Sequence, residues 1–339
     1  MFLIGRTICA LGIVWASVVH AAADDRPDTE NAASTLLSRC WSEAALAGTE
    51  KERQSTRNKT RVDLDVLRKV TRPSRSPVSA ALRGSIRSVK LNEDQKLIAL
   101  TLDFCESNGH RTGYDGQVID YLRDEDVKAT LFVSGKWFES HPERGAQLIA
   151  DRRFEIGSHG LRHRDFSRAS KATLHDEIHL AESAFLRARG RLMRKSCSWN
   201  VQEILSLQDE LTLMRFPYGW CNARALSAVA DAGQLAIQWD IVTGDPDPNL
   251  SVKRIAKAIV GQAHPGAIVI GHANGHGHNT AEALKLAIPK LKEEGYRFVT
   301  VSELLAAGEP VIAQSCYTER PGDQRRVAQV KKRRRGLKK

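Results

Sequence analysis

Short apolar runs alternate with longer amphipathic segments from Leu97 onward, and this alternation constrains the fold more than any other feature of the sequence. The pattern predicts strands at 97–103, 129–133, 154–158, 213–216, 235–239, 267–272 and 297–301. It predicts helices between them, at 115–123, 141–152, 171–189, 222–232, 251–262 and 280–294. Strands joined by helices form parallel sheets, and about seven such repeats favour an α/β fold with a distorted (β/α) barrel of parallel strands.

Polar side chains stand at the ends of five of these predicted strands. They are Asp103, His159, Arg215, Asp240 and His272. The carboxyl ends of the strands in a parallel barrel meet at one face, and that face holds the active site. We therefore expect these side chains to converge on a functional site.

Two histidine pairs share a spacing of four residues. His159 and His163 follow a predicted strand, so both imidazoles can face one point, as metal ligands do. His175 and His179 lie instead on an amphipathic segment, and the residue after His175 is an aspartate where the zinc-protease pattern H-E-x-x-H needs glutamate. We interpret the second pair as part of a helix surface.

Residues 97–305 resemble the NodB-homology polysaccharide deacetylases, carbohydrate esterase family 4. The motifs that carry the resemblance are "TLDF", "SHGLRH", "RFPYG", "WDIVTGD", "IVIGH" and "NTAEALKLAIPKLKEEGYRFVTVSELL". The resemblance implies a distorted (β/α) barrel, a divalent metal that is usually zinc, and hydrolytic removal of acetyl groups from an amino-sugar polysaccharide or oligosaccharide. Amide hydrolysis at neutral pH needs an activated water, which a bound metal supplies.

The resemblance also implies roles for the acid–base residues. Asp103 matches the catalytic base, and His272 matches the catalytic acid that protonates the departing amine. Arg215 would orient Asp103 through a charge-assisted hydrogen bond. Asp245 matches the motif acid that holds the arginine or tunes the histidine.

Metal and substrate contacts follow from the same motifs. His159 and His163 match the metal ligands, and the backbone N–H of Tyr218 would bind the oxyanion of the reaction. Trp239 is expected either to line the sugar pocket or to be a core aromatic.

One position departs from the family pattern. Phe104 stands where the family has an aspartate that is the third metal ligand, and a phenyl ring cannot bind a metal. Three substitutes are Glu106, Asp103 itself, and Cys105 as a thiolate, and we expect Glu106. The chain resembles a divergent subgroup that combines D-x-C-E with P-Y-G-x-C, and on that basis we predict a disulfide between Cys105 and Cys221.

The chain ends differ in composition from the predicted barrel. A basic "MFLIGR", an apolar run over residues 7–19 and "HAAADD" predict a Sec signal peptide over residues 1–23, with an uncleaved membrane anchor as the alternative. We divide the rest into a polar, basic and weakly ordered region (24–96), a deacetylase domain (97–308) and a basic tail (309–339). Export to the periplasm or beyond would allow one or two disulfides among the remaining five cysteines.

The formal net charge of +11 is concentrated in two segments. Residues 51–90 carry twelve Lys and Arg against three acids, and residues 325–339 carry nine and no acid. Such basic arms could contact anionic polymers of the cell envelope, or could be solvated tails. Nucleic acid is not expected as a partner, because the arms lack interleaved aromatic residues.

The sequence therefore predicts an exported, metal-dependent polysaccharide deacetylase whose substrate is an acetylated glycan. Two alternatives remain at this point: a barrel that binds glycans without catalysis, since one ligand position is lost, and an O-acetyl esterase on the same scaffold.

Overall fold

The computed structural model describes residues 35–57, 61–198, 201–321 and 323. Its strands are β1 (Thr56–Arg57), β2 (Ser85–Lys90), β3 (Leu97–Phe104), β4 (His110–Arg111), β5 (Ala129–Val133), β6 (Phe154–Ser158), β7 (Leu213–Met214), β8 (Leu235–Ile237), β9 (Ile241–Val242), β10 (Ile268–His272), β11 (Arg297–Phe298) and β12 (Glu309–Ala313). Its helices are α1 (Leu36–Cys40), α2 (Glu43–Leu46), α3 (Glu50–Arg53), α4 (Leu64–Arg68), α5 (Gly116–Asp124), α6 (Gly135–Ser140), α7 (Pro142–Ala150), α8 (Lys171–Met193), α9 (Val201–Leu205), α10 (Ala223–Asp231), α11 (Val252–Gln262), α12 (Thr280–Glu293) and α13 (Val301–Ala306).

The main sheet has the strand order β12-β2-β8-β7-β6-β5-β3-β10-β9, and β11 adds alongside β3. The pairs from β2 to β9 are parallel, whereas β12 pairs with β2 antiparallel. All seven strands that the alternation predicts are present within this sheet. The predicted distorted barrel of mostly parallel strands is therefore confirmed.

The two ends of the sheet approach each other where β2 meets the start of β10. Ser88 forms an isolated bridge with Ala267, and the Val89 N–H donates to the carbonyl of Gly266 at 2.9 Å. Gly266 has φ +84°, and a Cβ there would lie 1.7 Å from the Val89 carbonyl oxygen. Only glycine fits this close approach, so the barrel is drawn nearly closed at this point.

Strand β3 is buried along its whole length and separates two apolar layers. Leu97 and Ala99 pack into the barrel interior with Phe132 and Ile237, whereas Leu102 packs outward among the residues that face the helices. Successive side chains of a strand point to opposite faces, so the residues of β3 alternate between the two layers. Asp103 thereby faces the barrel interior, and Phe104 faces the helices.

Residues 36–57 and 61–96 are not the weakly ordered region that composition predicts. They form α1–α4, β1 and β2, and the compact unit of the chain begins at Leu36 rather than at residue 97. Leu36, Leu37 and Leu67 are buried in the main core, and Cys40 forms a disulfide with Cys197. The expected boundary at residue 97 therefore does not mark a structural division.

Several basic residues of the segment 51–90 form ion pairs with acidic residues of the barrel. Arg53 pairs with Asp115, Arg83 with Asp231, and Arg75 with both Glu182 and Glu210. Three of the positive charges of this segment thus pair with acids of the barrel, and its described part is packed against the barrel rather than a free arm. At the other end of the chain β12 pairs within the sheet, while the basic residues 325–339 lie outside the described residues.

The predicted signal peptide also lies outside the described residues. Within the described ranges, every helix is too short or too polar to span a lipid bilayer.

The pair between Arg75 and Glu182 predicts a large stability effect. The two groups meet through hydrogen bonds of 2.5 and 2.9 Å, and the Glu182 side chain is 1% exposed. Arg75→Leu would leave this carboxylate buried without a counter-charge, with only the Leu211 N–H still donating to it, which costs about 3–5 kcal/mol in the free energy of unfolding. Chemical denaturation with both disulfides intact measures the loss.

Arg83→Leu is the matched control. Its partner Asp231 is 56% exposed, so water replaces the lost pairing and we expect a change below about 1 kcal/mol. Equal losses in the two variants would contradict the argument.

Candidate active site

The strand ends bring the predicted polar residues to one face of the barrel. Asp103 lies directly beside His272 in the parallel pairing of β3 with β10. On the other side of β3, the pairing continues through β5 to Ser158, which immediately precedes His159, and Ser158 pairs with Met214, which precedes Arg215. Asp240 does not join this group, because its carboxylate binds His264 at 2.8 Å.

A buried ion pair joins Asp103 and Arg215. Arg215 Nη1 donates to Asp103 Oδ1 at 2.9 Å and to the Thr101 hydroxyl at 2.7 Å. Its other nitrogens donate to the carbonyls of Ile237 and Gln238. Arg215 is fully buried, and burial lowers its pKa although Asp103 acts in the opposite direction. This pair holds the Asp103 carboxylate in one orientation.

His159, His163 and Cys105 form a compact cluster next to Asp103. The Cys105 sulfur lies 3.4 Å from His159 Nε2, and Asp103 Oδ2 lies 3.6 Å from the same nitrogen. His159 Nδ1 lies 2.9 Å from the Arg215 carbonyl oxygen. A carbonyl only accepts, so Nδ1 carries a proton, and in the neutral ring it is Nε2 that offers its lone pair to the cluster.

The conformation of His163 directs its ring toward this cluster. Its φ is +52°, a left-handed conformation that costs an ordinary residue roughly 1–2 kcal/mol. The His163 ring contacts the rings of His159 and Tyr218, with centroids 4.9 and 4.4 Å away. Strain of this kind persists only where the surroundings hold it, and it is common at functional sites.

Charge coupling inside the cluster shifts the pKa values of its members. Burial raises the pKa of the Cys105 thiol, but His163 and His159 lower it, and the net pKa lies well below the usual value. Burial lowers the pKa of His159, whereas Asp103 and Cys105 raise it, with a net increase.

His272 and Asp245 form a second charged pair at the edge of the cluster. His272 Nδ1 lies 3.0 Å from Asp245 Oδ1, and the His272 backbone N–H donates to Oδ2 at 2.7 Å. The hydroxyls of Thr243 and Thr280 donate to the same carboxylate. Burial alone would lower the pKa of His272, but Asp245 raises it well above the usual value. Asp245 thus holds the histidine rather than the arginine.

Glu106 does not lie in the cluster, contrary to our expectation. Its fully buried carboxylate binds Lys136 Nζ at 2.6 Å, the Ser140 hydroxyl, and the backbone N–H of Thr112 at 3.0 Å. Phe104, on the same side of the strand, packs its ring against Trp137. Glu106 therefore anchors the loop after β3 and is directed away from the imidazole pair.

The predicted Cys105–Cys221 disulfide is wrong. Cys221 bonds to Cys316, which ties the "PYGWC" loop to the segment after β12, and Cys105 is a buried free thiol. The prediction failed because the second half of this bridge lies 95 residues away, in a region that composition assigned to a tail.

The two residues expected to contact substrate occupy different environments. Tyr218 is 53% exposed beside His163, with φ +63°. Trp239 is only 3% exposed, lies in the barrel core and donates its indole N–H to the Thr318 carbonyl. Trp239 is therefore the core aromatic of our two alternatives and does not line the pocket.

Sequence reasoning missed one further residue of the site. Asn274, fully buried, donates its side-chain amide to the Cys105 carbonyl at 2.7 Å. It follows His272 by two residues, and an Asn–Gly pair after a strand end indicates a turn rather than a contact across the barrel.

The donor chemistry of the cluster fits a divalent metal. The ligand atoms of Cys105, His159 and His163 all lie within 4.8 Å of one another, as do those of Asp103, Cys105 and His272. Thiolate and imidazole donors are those of protein zinc sites. Two of these groups, the imidazoles, are the metal ligands that the sequence predicts.

Comparisons with known proteins agree with this arrangement. The sequence profile described as Polysaccharide deacetylase matches residues 90–237. A peptidoglycan-N-acetylglucosamine deacetylase of Bacillus cereus is 32% identical over 214 residues, which cover 62% of this chain and 89% of the relative. The peptidoglycan-N-acetylmuramic acid deacetylase PdaA of Bacillus subtilis is 30% identical over 216 residues, which cover 63% and 73%.

Among solved structures, a CE4 family pseudoenzyme from Bacillus anthracis matches with a TM-score of 0.51 and 25% identity, covering 63% of this chain and 66% of that one. The similarity extends over the barrel that carries the site and leaves part of the chain unmatched. On the strength of the Bacillus cereus relative, most of whose length is covered, this chain belongs to the polysaccharide deacetylase family.

Proposed function

We propose that the protein is a metal-dependent hydrolase that removes N-acetyl groups from an amino-sugar polysaccharide or oligosaccharide. One observation carries the proposal: the Arg215–Asp103 and Asp245–His272 pairs meet at the same point as two imidazoles and a thiol. Two buried ion pairs around a cluster of metal donors are hard to explain by folding alone. Buried ion pairs contribute little to the free energy of folding, because desolvation offsets their attraction.

Each charged pair supports one proton transfer. Asp103 is the base that takes a proton from the attacking water, and Arg215 holds its carboxylate in place. His272 is the acid that protonates the departing amine, and Asp245 favours its charged form. Base and acid are neighbours in the pairing of β3 with β10, so both can reach one scissile amide.

His159 and His163 would hold a divalent cation, which when bound would supply an acidified water and positive charge near the developing oxyanion. Zinc suits this donor set best. The backbone N–H of Tyr218, in the exposed left-handed turn beside His163, is a second donor for the oxyanion.

The relatives and the disulfides favour a substrate outside the cytoplasm. Both curated relatives are named for deacetylation of peptidoglycan. The Cys40–Cys197 and Cys221–Cys316 bridges are typical of proteins in an oxidising compartment. We therefore propose that the protein is exported and that its substrate is an acetylated glycan of the cell envelope, with residues 325–339 as a contact for anionic polymers there.

A barrel that binds glycans without catalysis is the second candidate. Phe104 occupies the position of a family metal ligand, and a structural neighbour of similar fold is called a pseudoenzyme. The retained Asp103, Arg215 and His272 favour the enzyme over this alternative.

Asp103→Asn tests the proposed base. Loss of the base should lower acetate release from N-acetylglucosamine oligomers by about 100- to 10,000-fold, while bound metal is retained. Asp240→Asn is the matched control at another strand end, and should change release little because Asp240 binds His264 outside the cluster. Undiminished turnover in Asp103→Asn would reject the assignment.

Metal removal separates the candidate functions. Chelation should abolish acetate release, and added zinc or cobalt should restore it. Preference for O-acetylated over N-acetylated oligomers would indicate an esterase instead. Binding of oligosaccharide without release under any metal would favour the glycan-binding barrel.

A further inference from the structure

We propose that Cys105 completes the metal site as a thiolate ligand, so that a sulfur and two imidazole nitrogens hold the cation. This inference rests on the proposed function, because it concerns the metal on which that function depends. The Cys105 sulfur would take the place of the family carboxylate that is missing at Phe104. The site would then prefer cations that bind sulfur well.

The spacing of the donors suits one small cation. Tetrahedral zinc has bonds of about 2.3 Å to sulfur and about 2.0–2.1 Å to nitrogen, which puts a sulfur and a nitrogen ligand roughly 3.5 Å apart. The Cys105 sulfur lies 3.4 Å from His159 Nε2. The three donor atoms also share a single region, since all lie within 4.8 Å of one another.

The contacts of the two residues that follow β3 show where their side chains point. The Cys105 sulfur lies beside His159 and close to Asp103, whereas the Glu106 carboxylate binds Lys136. The neighbouring backbone is held in this orientation. Asn274 binds the Cys105 carbonyl at 2.7 Å, and the Glu106 N–H donates to the Ser134 hydroxyl at 2.9 Å.

The other cysteines of the described chain make a free thiol at this position informative. Two disulfides join Cys40 to Cys197 and Cys221 to Cys316. Of the five cysteines in the described residues, only Cys105 remains a free thiol. Cys105 is 6% exposed, within reach of two imidazoles and not of another sulfur. A buried thiol in such surroundings is placed to bind a metal rather than to cross-link the fold.

A sulfur ligand changes which cations the site prefers. Thiolate donors select zinc and related borderline metals over magnesium, calcium and manganese, which prefer oxygen. Asp103, bonded to Arg215, then remains available for proton transfer and is not needed as the third ligand.

The test uses the full chain, stripped of metal and reloaded with Co²⁺. We expect a thiolate-to-cobalt charge-transfer band in the near ultraviolet, and protection of one thiol from alkylation when cobalt or zinc is bound. In Cys105→Ala the band disappears, and zinc affinity falls by more than about 100-fold, since even groups that only support a ligand contribute 10- to 100-fold. Cys105→Asp, a ligand of the family's type, should bind cobalt without the band.

Glu106→Gln distinguishes the two candidate ligands. We expect it to retain the band, because Glu106 binds Lys136 and not the cluster. Loss of bound metal from folded Glu106→Gln would overturn the proposal. The proposal also fails if the wild-type protein binds cobalt without a charge-transfer band and Cys105→Ala binds cobalt equally well. That result would leave the proposed metal-dependent function intact. Acetate release that needs no metal, with no cobalt bound, would overturn the proposed function itself.

Discussion

The buried pairing of Arg215 with Asp103 is the interaction around which the barrel is organised. Moving a guanidinium and a carboxylate out of water costs several kcal/mol each, and their attraction compensates only where the remaining hydrogen bonds are made. Arg215 makes them with Thr101, Ile237 and Gln238, so it links β3 to the ends of β7 and β8. The same bonds that make the charge tolerable fix the carboxylate beside the histidines. Stability of the interior and geometry of the site are therefore one requirement.

The sheet and the ends of its strands could be predicted because they depend on local pattern. The runs at 129–133 and 154–158 have the bounds of β5 and β6, and the polar residues that follow strands converge as parallel pairing requires. Asp103 and His272 meet because the two strands pair in parallel without a shift of register. The longer helices of the barrel were predictable for the same reason, since α11 and α12 each carry an apolar face, whereas short helices such as α6 and α13 were not predicted.

The N-terminal region could not be predicted, because its stability comes from partners far along the chain. Its composition is polar and basic, which by itself favours disorder. Its order depends on the Cys40–Cys197 bridge, across 157 residues, and on pairs such as Arg75 with Glu182. No local pattern contains that information. The third candidate ligand is a different case. Glu106 was expected while Cys105 was assigned to a disulfide with Cys221, and only the structure shows that Cys221 bonds to Cys316 and leaves Cys105 free.

A free thiol in a chain with two disulfides needs protection from oxidation, and here the arrangement of the site provides it. Thiols persist in oxidising compartments only if they are inaccessible or bound. Burial limits the access of oxidants and of other thiols to Cys105. A cation held by the sulfur and the two imidazoles would withdraw the thiolate from oxidation altogether. If the protein is exported, as we propose, a free Cys105 is compatible with an oxidising compartment because its sulfur lies inside the barrel, beside Asp103 and the histidines.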